Sequence, residues 1–487
     1  MGEVRRIREV VEGLGDEAGV VLPEVEIVGE GMASPASMFP VATAAAAVVG
    51  AATGAIGLFL QARAGGDLRV AVDVREAWGA FLDERCFRVD GERVVSWAPL
   101  SGDYRAADGW VRLHCNFDHH RDAALRALGL SSGAGREEVV EACGRRAALE
   151  IEEAVTEAAG CAAAMRSRTE WAEHPHGRAV ALEPLIRLRR LADGRGAVAG
   201  GQGDGAAGGH VGGPGGEARG TPGRALAGVR VVDLTRVIAG PVAGRVLAGF
   251  GAEVVRVGAE HLPEVPGLVI CTAFGKRSCE VDLRTKEGAE ALRGLVAGAD
   301  VVVQGYRPGA LAGLGFGAEE LAAIRPGVVC VDVSAYRARG PWGGRRGFDS
   351  LVQMASGIAH EGGDGGAPVP LPAQVLDHAT GWLAAFAAVA ALLRRRTEGG
   401  SWHAELSLAR TAKWLDGLGR VAGPTPQTVG EVVDMSRLMG EMESSFGRLS
   451  YVRQPGAING VRPRWTTPPP RRGEHPPRWP TERGGGS

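Results

Sequence analysis

Two short stretches of the chain gather side chains that can do chemistry. The first is "VLDHATGWLAAFAAVAALLRRR" (375–396), where Asp377 and His378 stand at the head of a long apolar run. From Gly381 onward this run reads as a buried helix, too short to span a bilayer before Arg394, Arg395 and Arg396. An aspartate at a helix start has two roles open to it. It can cap, its oxygen accepting from unpaired backbone N–H groups while its charge suits the positive end of the dipole. It can also be a nucleophile that the same N–H groups hold ionised and aimed. The second stretch carries His114, Cys115, His119 and His120 in the pattern H-C-x3-H-H. That pattern suggests zinc, but no second ligand pair follows at a finger-like spacing. The expected structure there is a strand end leading into a helix capped by Asp118, with solvated histidines and no metal.

The elements that must position these groups follow from the alternation of short β-branched runs with helical segments. After residue 228 come "VRVVDLT" (229–235), a helical "AGPVAGRVLAGFGA", "EVVRVG", "RSCEVDL", a helical "TKEGAEALRGLVAGA", "DVVVQGY", a helical "GALAGLGFGAEELAAIR" and "GVVCVDVSAY" (327–336). This order predicts an α/β fold, a Rossmann-like parallel sheet with helices on both faces. The dinucleotide fingerprint GxGxxG is replaced after the first strand by "TRVIAGP", which disfavours an NAD site. Residues 100 to 190 predict a smaller α+β unit: a hairpin in "SGDYRAADGWVRLHCNF", then helices in "DHHRDAALRALGL" and "REEVVEACGRRAALEIEEAVTEAAG".

Between Gly194 and Gly223, 14 of 30 residues are glycine without apolar periodicity, the mark of a flexible connection that divides the chain. The segment ahead of it contains a partial relative of the segment behind. A shift of 334 residues lays "GLFLQARAGGDLRVAVDVREA" (57–77) on "ALLRRRTEGGSWHAELSLART" (391–411), each a helix end, paired glycines and a strand. In that register Asp377 falls opposite Thr43, and no carboxylate lies between Gly31 and Gly66. Both helices need a start, but only one carries the charge, which favours chemistry at Asp377.

Composition narrows the class. With 487 residues the chain has room for two or three domains, and its formal net charge of −2 and lysines only at 276, 286 and 413 give no nucleic-acid surface. Seven cysteines without a CxxC pair fit reduced thiols in a cytoplasm. The start, "MGEVRRIREVVEGLGDEAG", has no signal-peptide core, and the uncharged run Met38 to Leu60 is rich in Ala and Gly, as expected of a buried helix rather than a membrane span.

Five ordered blocks, "VRVVDLTRVIAGPVAGRVLAGFGAEVVRV", "FGKRSCEVDLRTKEG", "VVQGYRPGALAGLGF", "RRGFDSLVQMASG" and "VLDHATGWLAAFAAVAALLRRR", resemble the large domain of class III CoA-transferases, the group of formyl-CoA and carnitine CoA-transferases. "GDYRAADGWVRL" through "EWAEHPHGRA" (102–179) similarly resembles that family's small domain, and "SYVRQPGAINGVRPRWTTPPPRRGEH" its C-terminal return segment. The resemblance divides the chain into a truncated large-domain-like segment (1–90), a small domain (91–193), a Gly-rich linker (194–224), a complete large domain (225–420) and a return segment with a Pro-rich tail (421–487). Because the family's large domain ordinarily comes first, this order looks like a fused or duplicated variant.

The resemblance implies a CoA-transferase that moves CoA from an acyl-CoA thioester to a small carboxylic acid, with Asp377 as the nucleophile. It implies a mixed anhydride and then an aspartyl-CoA thioester, with coenzyme A entering as acyl-CoA substrate and no tightly bound cofactor. An ordinary aspartate, with a pKa near ~3.9, needs no general base, so His378 is expected to be a helix-start residue with a solvated or hydrogen-bonded ring. Val237, Ile238 and Ala239 match the loop that brings backbone close to CoA. Lys276 and Arg277 match a basic turn that meets the nucleotide phosphates, and Tyr306 and Arg307 match a turn nearby. The loop "VRVGAEHLPEVPGLVI" departs from the family, which puts one phosphate contact in question. An interlocked homodimer is implied as well. Two rival functions stand beside this one: an α-methylacyl-CoA racemase, which carries histidine in a GHD turn where this chain has Phe348, and a non-catalytic scaffold that binds CoA esters.

Overall fold

The computed structural model describes residues 2–29, 37–94, 96–191, 220–337, 339–421 and 434–480. Residues 194–219 of the expected linker lie outside the described residues. The strands expected after residue 228 form one seven-stranded sheet in the order Lys276–Glu280, Glu253–Gly258, Arg230–Leu234, Val301–Gln304, Val329–Ser334, Trp402–Ser407, Arg187–Arg190. Six strands are parallel, and the edge strand Arg187–Arg190, which precedes the linker, runs antiparallel to Trp402–Ser407. The central strands are buried on both faces because helices cover both, which explains their unbroken Val-rich sequences. The chain winds outward one way from Arg230–Leu234, then returns to Val301–Gln304 on its other side and winds outward again. The loops after these two neighbouring strands therefore diverge and leave a crevice at the carboxyl ends.

The partial repeat is a structural repeat. Helices Val41–Ala64 and Val375–Glu398 are both 24 residues long; they start after Pro40 at φ −77°, ψ 62° and Gln374 at −77°, 63°, and end at Gly65 at 70°, −168° and Gly399 at 67°, −169°. The strand pair Val25–Val28 with Val70–Asp73 is parallel, as is Val329–Ser334 with Trp402–Ser407. Asp73 and Ser407, equivalent by the same shift, each cap the helix that follows. The two long helices pack on one another, and the residues around them form a single apolar core. Both are long and apolar enough, by length and composition, to cross a membrane, yet both are buried inside the protein. A helix apolar on every side needs such all-round cover.

Residues 100–164 hold a separate core beneath a three-stranded antiparallel sheet, Gly102–Arg105, Trp110–Leu113 and Ala162–Ala164. The hairpin and the helix Asp118–Ala127 are as expected, but Asp118 is the first helical residue and makes no capping bond; Phe117 occupies the cap position. The next long helical stretch breaks into Arg136–Gly144 and Ala148–Glu157. The C-terminal segment joins the units: Gly447–Val452 pairs with Arg88–Val89, Ala457–Ile458 pairs with Val70 and Ala71, and the Trp465 indole donates to the Arg245 carbonyl at 2.9 Å.

The N-terminal unit is tied to the large domain by a buried charge pair. Asp83 accepts from the Arg245 guanidinium, from the Cys271 thiol at 2.8 Å and from the Val452 backbone N–H at 3.3 Å. Arg245 also lies over the Trp465 ring at 4.2 Å. Removing one partner strands the other charge away from water, which costs more than the pair itself contributes. Asp83→Ala is expected to lower unfolding free energy by ~3–5 kcal/mol in urea titrations, whereas Asp83→Leu combined with Arg245→Met recovers most of the loss. A cost below ~1 kcal/mol for the single change would show that the pair is not what holds the two units together.

Candidate active site

A cavity of about 400 Å³ occupies the crevice at the carboxyl ends of the strands. Its walls come from the loop Thr235–Gly240, the turn Gly305–Arg307, the segment Arg345–Phe348 and, from the small domain, Phe117, His119 and His120. Among its lining residues Asp377 is the sole carboxylate.

Asp377 is not a cap. The helix begins at Val375, six residues before the expected Gly381, so Asp377 is its third residue. The cap is supplied from another helix: Asp349 Oδ2 accepts the Asp377 backbone N–H at 2.9 Å, and its carboxylate also takes the Leu376 N–H. Gln353, one turn on from Asp349, donates to that carboxylate and accepts from the Leu371 N–H at 2.7 Å. The whole approach to the helix is thereby fixed. Freed from capping, the Asp377 carboxylate faces the backbone N–H of Ala239, which favours its charged form. Val237 stands two residues before that donor with φ at 72°, a conformation a β-branched residue rarely takes and one typical of functional loops.

Burial, then the neighbouring Asp349 and Glu84 charges, push the Asp377 carboxyl well above the ordinary range. Burial likewise raises Asp349, to about 6, against the pull of its hydrogen bonds. The expectation of an ordinary, freely ionised aspartate is therefore corrected. With the stronger set of donors around it, Asp349 is the member that holds charge, and Asp377 is the member that holds the proton.

His378 is buried, donates or accepts at Nε2 with Glu84 at 2.7 Å and stacks on Phe81 with centroids 5.3 Å apart. Its ring is hydrogen-bonded rather than solvated, and it is not among the residues lining the cavity. Val237, Ile238, Ala239, Tyr306 and Arg307 all line it. Lys276 and Arg277 do not. The Lys276 ammonium is buried, donating to Asp233 Oδ2 and the Pro241 carbonyl, each at 2.8 Å. Gly244 makes room for this pair, since a Cβ there would stand 2.6 Å from Asp233 Oδ2. A sequence motif cannot tell a lysine facing a ligand from one facing a buried aspartate two strands away. Arg277 lies on the edge strand, within electrostatic reach of His475. From the altered loop only Leu262 and Pro263 reach the cavity, and Arg256 is paired with Glu264.

Of the histidine cluster, His119 is exposed as expected, but the other two are not solvated. His114 and His120 are buried, and His114 stacks flat on Phe348 with centroids 3.6 Å apart. Among the described residues no group of three or more His, Cys, Asp or Glu has the arrangement of a metal site. Asp349, Arg345, Arg346 and Glu84 belong to the site or its support although sequence reasoning did not select them. The only local signal was the GFD turn that contains Asp349.

Residues 226–419 match the family model described as CoA-transferase family III. An acyl-CoA transferase of Gibberella moniliformis is 32% identical over 324 residues, covering 63% of this chain and 54% of that protein. A probable fatty acyl-CoA transferase of Mycobacterium tuberculosis is 35% identical over 197 residues, covering 37% of this chain and 49% of that protein. A solved structure of a CAIB/BAIF family protein from Brucella suis overlays with a TM-score of 0.37 at 30% identity, covering 40% of this chain and 55% of that one. The chain spans about half the length of the curated relatives it matches.

Two stability measurements check this geometry. Lys276→Ala leaves Asp233 buried without its partner and is expected to cost ~3–5 kcal/mol in urea, a folding defect rather than a change in KM alone. For Asp377 the folded protein binds the proton more tightly than the unfolded chain does, so its contribution is full at low pH and is lost as pH rises through the raised folded value. Asp377→Asn should therefore raise the thermal midpoint near neutral pH and change it little at about pH 4, close to the unfolded pKa. A lower midpoint at neutral pH would show that the carboxylate is structural.

Proposed function

Because residues 226–419 match the family model described as CoA-transferase family III, we propose that the protein moves CoA from an acyl-CoA thioester to a carboxylic acid through Asp377. The observation that carries this reading is the single cavity carboxylate, freed from capping by Asp349 and met by the Ala239 N–H. In the proposed cycle the ionised Asp377 attacks the thioester carbonyl, the carbon–sulfur bond breaks, and CoA leaves as thiolate. The acyl group then sits on Asp377 as a mixed anhydride. Thiolate attacks the aspartyl carbonyl, the donor acid departs as carboxylate, and Asp377 holds CoA as a thioester. The acceptor acid runs the same two steps in reverse, so bond energy is conserved throughout.

The surroundings suit this chemistry. Burial excludes water that would hydrolyse an anhydride. The Ala239 N–H is placed to stabilise negative charge near the reacting carboxyl. Arg236, Arg307, Arg345 and Arg346 on the walls favour anionic substrates, both CoA esters and acids. Coenzyme A enters as substrate, and the scheme requires no tightly bound cofactor. The racemase alternative needs a proton-transfer group at the position of Phe348, whose ring has none and stacks on His114. A scaffold would have no use for an uncapped, buried carboxylate. We also place the protein in the cytoplasm as a homodimer. The half-repeat already packs on its counterpart within one chain, so a fully active monomer in light scattering would remove the dimer and leave the chemistry standing.

Asp377 must lose its proton before it attacks, so kcat/KM is expected to rise with pH through the raised value and level off above it. Asp377→Asn should lower transfer by several orders of magnitude while acyl-CoA binding survives, because an amide is a poor nucleophile. Hydroxylamine added during turnover should modify Asp377 alone, read by peptide mass spectrometry. Near-normal transfer by Asp377→Asn would overturn the mechanism.

A further inference from the structure

His120 lies outside the mechanism derived so far, yet the small domain holds it in the wall of the same cavity as Asp377. It is 4% exposed, and among the described residues neither Nδ1 nor Nε2 has a hydrogen-bond partner. Leaving a buried donor unmet costs stability, so such groups are rare unless something else meets them. Aromatic rings pack around it. Phe117 and Phe348 meet it edge-on with centroids at 5.5 and 5.9 Å, and His119 sits against it at 4.1 Å. Below it, the backbone N–H of His120 donates to the Phe117 carbonyl at 2.9 Å, at the start of the helix Asp118–Ala127. His114 has an unpartnered Nδ1 too, but its face is covered by Phe348 and it does not line the cavity.

We propose that His120 is a substrate-contacting residue whose ring N–H donates to a carboxylate oxygen of the acid exchanged at Asp377. The proposal rests on the CoA-transferase reading and adds the small domain's part in recognising the acid. Burial, then the neighbouring His119, Arg346 and Arg236 charges, push the imidazole down to about 3, so it is neutral, with one N–H to give. Arg236 and Arg346 bond the carbonyls of Pro263 at 3.1 Å and Ala159 at 3.0 Å, and no carboxylate answers either guanidinium among the described residues. An arriving carboxylate thus meets a neutral donor flanked by two cations. Asp377 lies in the same cavity, so an acid bound to His120 is near the carboxyl that must receive or release the acyl group.

The test compares His120→Leu, which keeps bulk and removes the donor, with His120→Gln, which restores one. Succinyl-CoA and glutarate serve as the probe pair. His120→Leu should raise KM for glutarate by about tenfold or more, the effect of losing one hydrogen bond to a charged group. His120→Gln should recover part of it. Because an unmet imidazole is being replaced by an apolar group, the thermal midpoint of His120→Leu should stay or rise. In wild-type protein labelled with ¹⁵N-histidine, the ring signals absent from the His120→Gln spectrum should shift on adding glutarate. Unchanged KM and kcat in His120→Leu overturn the proposal and leave CoA transfer intact. A lowered midpoint with lost activity also overturns it, since the residue is then structural. If wild-type protein transfers nothing between this pair, the ring signals decide: no shift with glutarate or succinyl-CoA overturns the contact, while a shift upholds it apart from the transfer reaction.

Discussion

Gly381 has no side chain, and a Cβ there would lie 2.6 Å from the Ala239 carbonyl and 2.8 Å from Val242. Helix Val375–Glu398 can therefore cross helix Ala239–Gly249 at nearly the closest distance two backbones permit. That approach sets the geometry of the site. It brings the N-terminus of the first strand's helix, with its Ala239 N–H, to the carboxylate of Asp377 four residues before the crossing. A larger residue at 381 pushes the helices apart, and the donor leaves the carboxylate. The strained φ at Val237 is the backbone cost of entering the helix at that point.

The division of labour between Asp349 and Asp377 follows from the same crowding. A helix start has unpaired N–H groups that some acceptor must satisfy. Had Asp377 met them itself, its oxygens would be spent on its own backbone. Asp349 reaches in from another helix and takes that role, leaving Asp377 to face the cavity. Two buried carboxyls this close cannot both ionise easily. The pair is thus kept sharing a proton, which rests on Asp377.

The half-repeat packs as a unit against its counterpart. Helix Val41–Ala64 reproduces the backbone of helix Val375–Glu398 to within a few degrees at both ends, yet it carries Thr43 where the other carries Asp377. Its Ala- and Gly-rich surface buries the outer face of that helix, and the segment that follows sends Glu84 to His378 and Asp83 to Arg245. The copy therefore supports the residues next to Asp377 without entering the cavity.

The sequence by itself determined the parallel sheet, the half-repeat and its register, the small unit, and the loop, turn and aspartate that meet in the cavity. These are local matters: β-branched runs, helical periodicity and glycine turns act over a few residues and leave their pattern in the chain. Tertiary structure decided what each polar group faces. Lys276 reads as a phosphate contact but is buried against Asp233; His114 reads as solvated but lies under Phe348; Asp377 reads as a cap or a nucleophile, and capping falls to Asp349, 28 residues away. Burial and partnership arise between elements distant in the chain. A shifted pKa, a freed carboxylate or an unmet imidazole exists only once those elements have closed around it.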